Sequence, residues 1–360
     1  MDFALNEEQR MLDDSVSGYL KSACPIDTVR EAAETSITHN PLLATGLTDL
    51  GVYGILIPED FGGVGLGYLE AALTAEGLGY VAAPVCFTAT AVMAPIALLA
   101  AGTNEQREKW LPQIAAGDTL FGLAVTEQIS RRDSAGIHAE NSTLTGEAMF
   151  VLDGPDAQQL LVADDAGALY IVDADATDRT TLKTIDRTRS VAKFSFAKTP
   201  AELLPGSRDT RAPLLSMIDA GRIMLAADTL GAAQKMLDDS IAYAKERKQF
   251  NRVIGSFQAV KHMCAEMAAE LEPCRSMIWY SAHAQVAIPD EARLMACHAK
   301  AHLAEVGQFV ARTATEVHGG MGMTDLLGLH YWFKRIGFNR QVLGAPELVR
   351  EEAARVQGWL

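Results

Sequence analysis

The order in which hydrophobic periods change along the chain predicts a mostly α-helical protein with a central β-domain, divided at 1–119, 120–208 and 209–360. Three observations carry this. Helical spacing runs through the first part of the chain, short β-branched and aromatic runs fill the stretch from Leu120 to about Leu204, and helical spacing returns from Ala212. A small β-domain between two helical ones, the second a four-helix bundle, follows from that order.

From Asn6 to about Glu34 the pattern is helical, with Leu12 and Val16 placed for burial, and a second helix is expected around Pro41 to Leu50. The stretch Leu50 to Gly67 packs six glycines and Pro58 into eighteen residues, which demands a loop with special backbone angles. Gly63, Gly65 and Gly67 invite a phosphate-loop reading, but their spacing is neither G-x-G-x-x-G nor a Walker motif. No charge occurs from Gly77 to Asn104, a length that could span a membrane. Pro84, Pro95, glycines, threonines and an excess of Ala over Leu favour short close-packed helices there instead.

The runs FGLAVTE, QQLLVAD, ALYIVDA and VAKFSFA read as strands, with a hairpin turn at Asp164 to Gly167. Beyond Ala212 a long helix is set by Ile218, Met224, Leu225, Leu230, Met236, Leu237 and Ile241. Glu246, Arg247, Lys248, Gln249 and Phe250 crowd charge and one aromatic beside a break at Asn251, and a helix restarts through Phe257 and Val260. Further breaks at Pro289 and at the HGGMGMT glycines leave a bundle of four helices and a short C-terminal one.

Composition is that of an ordinary globular chain, 49% hydrophobic and 21% charged over 360 residues. The net charge of −15 argues against general binding to nucleic acid or to an anionic membrane, so an anionic ligand must find a local basic patch. Five scattered cysteines without a C-x-x-C pair indicate neither a disulfide framework nor a zinc site. The acidic N-terminus lacks an apolar signal core, and a cytoplasmic location is expected. His262, His318 and His330 have neither an acid at catalytic spacing nor a metal-ligand pair, which favours core or surface roles.

Several ordered motifs resemble the acyl-CoA dehydrogenase family of flavoproteins. They are the Leu50–Gly67 loop, Glu76-x-Leu78-Gly79-Tyr80, the Gly102–Glu127 stretch, and Arg247-x-x-Phe250 followed by Phe257-Gln258. The resemblance spans nearly the whole chain and implies an α-domain, a barrel-like β-domain and a four-helix bundle, assembled as a homo-oligomer or an α2β2 tetramer. It also implies FAD as cofactor, an acyl-CoA substrate and an electron-transfer flavoprotein as electron acceptor.

In that family a proton leaves the carbon next to the thioester carbonyl while the neighbouring carbon gives a hydride to the flavin. This requires an oxyanion site, a held flavin and a buried carboxylate base. The flavin clamp of the β-domain has become TEQISRRD, which keeps Thr126, Glu127 and Asp133 but loses a proline and two glycines and has Arg132 in place of a serine. Leu152 stands where a threonine bonds the flavin ring. The clamp offered to a neighbouring protomer's FAD is better kept, as Arg247, Phe250, Phe257, Gln258, Gly319 and Gly320, with Glu316 in place of a glutamine. The two glycines suit a plain helix C-cap equally.

Both positions at which the family carries its base are empty of carboxylates, being Leu343 and Gly221. Neither accepts a proton. Asp219 and Arg222 match positions that in relatives meet the adenosine end of CoA, and Glu347 reads as a solvated helix residue. The double loss resembles the base-lacking subunit of α2β2 enzymes of steroid side-chain degradation, in which a partner supplies the glutamate. Two alternatives remain at this point: a homomeric enzyme using Asp219 or Glu347 as base, and a non-catalytic acyl-CoA-binding or structural homologue.

Overall fold

The computed structural model describes residues 4–130 and 135–360, so Arg132 and Asp133 lie outside the described residues. The chain folds as two compact units, one made of Met1–Glu34, Ala72–Ala83 and Arg222–Leu360, the other of Thr35–Ala71 and Pro84–Gly221. In chain order the elements are α1 (Glu7–Ala23), α2 (Ile26–Thr35), α3 (Pro41–Asp49), α4 (Tyr68–Tyr80), α5 (Ala94–Ala101), α6 (Asn104–Ala115), β1 (Phe121–Ala124), α7 (Thr126–Ile129), β2 (Gly136–Glu140), β3 (Thr143–Leu152), β4 (Gln159–Ala163), β5 (Leu169–Asp173), β6 (Asp178–Leu182), β7 (Val191–Pro200) and β8 (Glu202–Leu203). Then follow α8 (Ala212–Glu246), β9 (Lys248–Gln249), β10 (Arg252–Val253), α9 (Gln258–Ala287), α10 (Pro289–His318), α11 (Leu329–Gln341) and α12 (Pro346–Val356).

Most sequence expectations have a local cause in these elements. The first helical pattern is two helices, because Pro25 cannot continue α1; a capping box between Asn6 and Gln9 starts α1. The glycine-rich loop turns back on itself. Val64, Gly65 and Leu66 give their amides to the carbonyls of Gly54, Ile57 and Ile55, and a Cβ at Gly63 would sit 2.0 Å from the Ile57 carbonyl oxygen. Its amides are therefore spent within the loop instead of being offered to a phosphate. The uncharged stretch is a buried π-helical turn at Thr88–Met93 leading into α5, and no helix among the described residues is long and apolar enough to cross a membrane.

The β-structure in the second unit is an eight-stranded sheet in the order β6-β7-β3-β1-β4-β5-β8, with β2 on β3. The strands β1, β4, β5 and β7 are those expected, and Asp164 closes the β4–β5 hairpin by accepting the amides of Ala166 and Ala168. Three further strands have a weaker apolar signature, and in β3 it is confined to Ala148–Leu152. β6 reads DRTTL with four exposed residues, and β2 and β3 are polar on alternate or bulged positions. The β3–β7 ladder shifts register between Ala148 and Val151, leaving Phe150 with φ +53° and exposed.

In the first unit, α10 packs against α9, α11 and α12. α4 and α8 cross with their backbones touching: a Cβ at Gly79 would lie 1.9 Å from the Asp228 carbonyl oxygen, and one at Gly231 would lie 1.8 Å from that of Glu76. Beside the crossing, Arg335 of α11 makes a bidentate pair with Asp228 at 2.8 and 2.7 Å and donates to the Ala83 carbonyl at 3.0 Å. Asn339 adds a bond to Asp228 Oδ1 at 2.6 Å, so the buried carboxylate is saturated with donors.

Gly231→Ala is expected to lower unfolding free energy by about 2–3 kcal/mol, because the added methyl meets backbone that cannot yield. Gly18→Ala on the exposed side of α1, where nothing lies within 4 Å, should raise it by about 0.5–1 kcal/mol. Denaturant midpoints of the two variants check this contrast; equal midpoints would contradict the close crossing.

Candidate functional site

The two positions that carry a base in the resembling family sit on different supports. Gly221 is buried in α8. Leu343 lies in the turn between α11 and α12, 7% exposed, with φ +58°, and Gly344 follows with φ +108°. A γ-branched side chain rarely holds the left-handed region, and it does so where surrounding contacts over-determine the backbone.

Those contacts come from two buried cations. Arg222 of α8 donates Nε to the Leu343 carbonyl at 3.0 Å, Nη2 to Glu352 Oε2 at 2.7 Å and Nη1 to Cys297 Sγ at 3.4 Å. Glu352 is also paired with Arg293. Lys300 of α10 donates Nζ to the Asn339 and Arg340 carbonyls, taking up free acceptors at the C-terminus of α11. The turn bearing residue 343 is thus fixed through its main chain, whatever side chain it carries.

Burial, with the charges of Arg222 and Arg340 behind it, brings Lys300 down from the usual 10.5 to about 7. No motif singles it out, since a lysine on an amphipathic helix ordinarily reaches solvent. Only the helix end packed against α10 shows what it is for. Glu347, by contrast, stands exposed in the first turn of α12, 3.5 Å from Arg340. Asp219 is 4% exposed, and the Tyr68 phenol beside it is pushed up, chiefly by burial and further by the Asp219 charge.

The residues of the β-domain expected to face the flavin make their contacts within the β-domain itself. Thr126 Oγ1 donates to the Phe150 carbonyl at 3.4 Å, and Glu127 accepts the Met149 amide at 3.0 Å, so both motif residues hold the bulge of β3. Leu152 is 2% exposed and paired with Leu123 of β1. It offers no polar atom to a flavin ring.

The second set lies in two groups, at the far end of α8 and at the end of α10, and these helix ends meet where Tyr243 stacks on His318. Arg247 ends the helix, β9 and β10 form a two-residue hairpin, and its tip, Phe250 and Asn251, has φ +52° and +63°. Phe250 is 87% exposed and meets Phe257 edge-on at 6.2 Å, and Gln258 opens α9 on the surface. Glu316 is exposed near the end of α10, and Gly319, φ +59°, caps it by donating its amide to the Glu316 carbonyl. The C-cap reading of these glycines is therefore realised, yet both also leave open space, for nothing lies within 4 Å of a Cβ built on Gly319 or Gly320. His318 is buried between an Ala314 carbonyl and the stacked Tyr243 ring, and His330 pairs with Asp325. No cluster of His, Cys, Asp or Glu suited to a metal occurs among the described residues.

Residues 6–118 match the model of the acyl-CoA dehydrogenase N-terminal domain and residues 213–357 that of its C-terminal domain. The chain belongs to the acyl-CoA dehydrogenase family. Acyl-CoA dehydrogenase IpdE2 of Mycolicibacterium smegmatis is 28% identical over 98% of this chain and 99% of its own. The ChsE4-ChsE5 complex of Mycobacterium tuberculosis has a chain that superposes with TM-score 0.91 at 26% identity over the full length of both. A chain of the Tcur3481-Tcur3483 steroid acyl-CoA dehydrogenase variant superposes with TM-score 0.88 at 26% identity over 98% of each.

The family acts on CH–CH bonds of acyl-CoA with FAD as cofactor. The residues present fit one part of that group and not another. Exposed cations, an aromatic pair and an open glycine backbone suit a dinucleotide's phosphates and adenosine, whereas Leu152 and the self-bonded Thr126–Glu127 pair leave the ring face of the β-domain short of donors.

Because the unfolded lysine titrates near 10.5, the unfolded chain binds more protons than the folded one between about pH 7 and 10.5. Stability that Lys300 withholds below that window is recovered as pH rises through it. Lys300→Met should flatten this rise, measured as unfolding free energy from about pH 7 to about pH 10; an unchanged slope would place the buried charge elsewhere.

Proposed function

We propose that this chain is the base-lacking half of a heteromeric FAD-dependent acyl-CoA dehydrogenase whose partner subunit supplies the carboxylate. One observation carries the reading: the turn that would present a base is held by Arg222 and Lys300, yet it presents a buried leucine. A hydrocarbon cannot take the proton from the carbon beside a thioester, and Gly221 offers no second route. The similarity to chains of the ChsE4-ChsE5 complex and of a steroid acyl-CoA dehydrogenase supports an assembly of unlike subunits and a steroid-type acyl group.

Within this assembly the chain's own residues do three things. Arg247, Phe250, Phe257, Gln258, Glu316, Gly319 and Gly320 hold the phosphate and adenosine end of an FAD shared with the partner, with Thr126 a lesser contact from the β-domain. FAD bound there would supply the hydride acceptor, and an electron-transfer flavoprotein would be the electron acceptor. Asp219 contacts the CoA. Arg222, its donors already engaged by Leu343, Glu352 and Cys297, serves the site by fixing the turn instead of reaching CoA itself.

Acyl-CoA-dependent reduction of an artificial electron acceptor tests this. The chain alone should turn over at least about a hundredfold more slowly than when co-expressed with a base-containing homologue. In the complex Glu347→Gln should change neither kcat nor KM, while Asp219→Asn should raise KM and spare kcat. Full activity of the isolated chain, abolished by Asp219→Asn, would replace the heteromer with a homomer using Asp219 as base.

A further inference from the structure

Beyond the motif residues, the hairpin at the end of α8 carries a cation that no motif requires. Arg252 lies in β10 opposite Gln249, and its guanidinium carbon sits 3.9 Å above the centre of the Phe257 ring. The same ring takes the edge of Phe250. A guanidinium stacked on an aromatic face is held in one plane by cation–π attraction while its N–H donors, which lie at its edge, are not consumed. Among the described residues, none of the side-chain donors of Arg247, Lys248 or Arg252 has a protein acceptor, and none of the three is in an ion pair.

Three unspent cations on one short hairpin are costly in isolation, since like charges repel, and they are unusual in a chain of net charge −15. An external anion with several oxygens relieves that repulsion. The exposed Phe250 ring points to an anion with an aromatic base attached, because a ring face does not serve a bare phosphate.

We infer that Arg252, stacked on Phe257, is a second diphosphate-holding residue beside Arg247, so that the hairpin grips the dinucleotide with two guanidinium forks. This rests on the proposed shared FAD site and adds a residue to it. Arg252 acts by direct charge-assisted hydrogen bonds, and Phe257 acts through Arg252 by fixing its plane.

The test uses the assembled holoenzyme and reads FAD release on dilution, from the flavin fluorescence that returns when FAD leaves the protein. Arg252→Gln should raise the FAD dissociation constant about tenfold at low salt, with a smaller difference in high salt because the lost term is electrostatic. Arg252→Lys should fall between the two, keeping the charge but losing the fork. Arg247→Gln separates this inference from the reading beneath it. If Arg247→Gln weakens FAD and Arg252→Gln does not, the role of Arg252 is overturned and the shared site stands. If neither changes FAD release at any salt, both fall, and the hairpin's cations face an acidic protein surface.

Discussion

The contact of α4 with α8 through Gly79 and Gly231 is the constraint on which the first unit depends. No side chain separates the two helices there, so their distance is set by backbone atoms, and a single methyl forces them apart. The Asp228–Arg335 pair sits beside that crossing and extends it to α11. Both partners are buried, and removing either would cost about 3–5 kcal/mol because the other would remain charged and unpaired. With Asn339 also on Asp228, the C-terminal turn of α11 is placed against α10, where Lys300 takes its last carbonyls.

From that point the geometry of the site follows. α11 ends at Gln341, two residues before Leu343, and Arg222 holds the Leu343 carbonyl from α8. The contact that orients residue 343 is directed at its main chain, and it does not depend on the side chain that stands there. A leucine with positive φ in such a turn keeps a conformation its own preferences oppose. In the heteromer proposed above, this turn keeps the support of a catalytic position without its base, while the hairpin after α8 keeps its donors. Division of one site between unlike subunits accounts for both facts together.

Much of this was legible in the sequence wherever one residue type has one physical use. Short β-branched and aromatic runs gave β1, β4, β5 and β7, Pro289 marks a helix boundary, and Asp164 marks its hairpin, whereas the break at Pro25 lies inside a stretch that reads as one helical pattern. Strand β6 was invisible because its DRTTL residues face water and need no apolar alternation. The functions of Lys300, Asp228 and Arg335 were hidden for a different reason. Each is a charged residue on a helix, and only the packed neighbour shows that its charge is buried. Arg222 was read as a ligand contact from its position in a motif, and its three protein partners lie 75 to 130 residues away in sequence.

The most direct measurement of a divided site is bound FAD per protomer, by flavin absorbance against protein concentration, for the chain purified alone and for the chain co-expressed with a base-containing homologue. A divided site predicts little flavin on the isolated chain and one FAD for each pair of unlike chains. One FAD on every chain purified alone would contradict it.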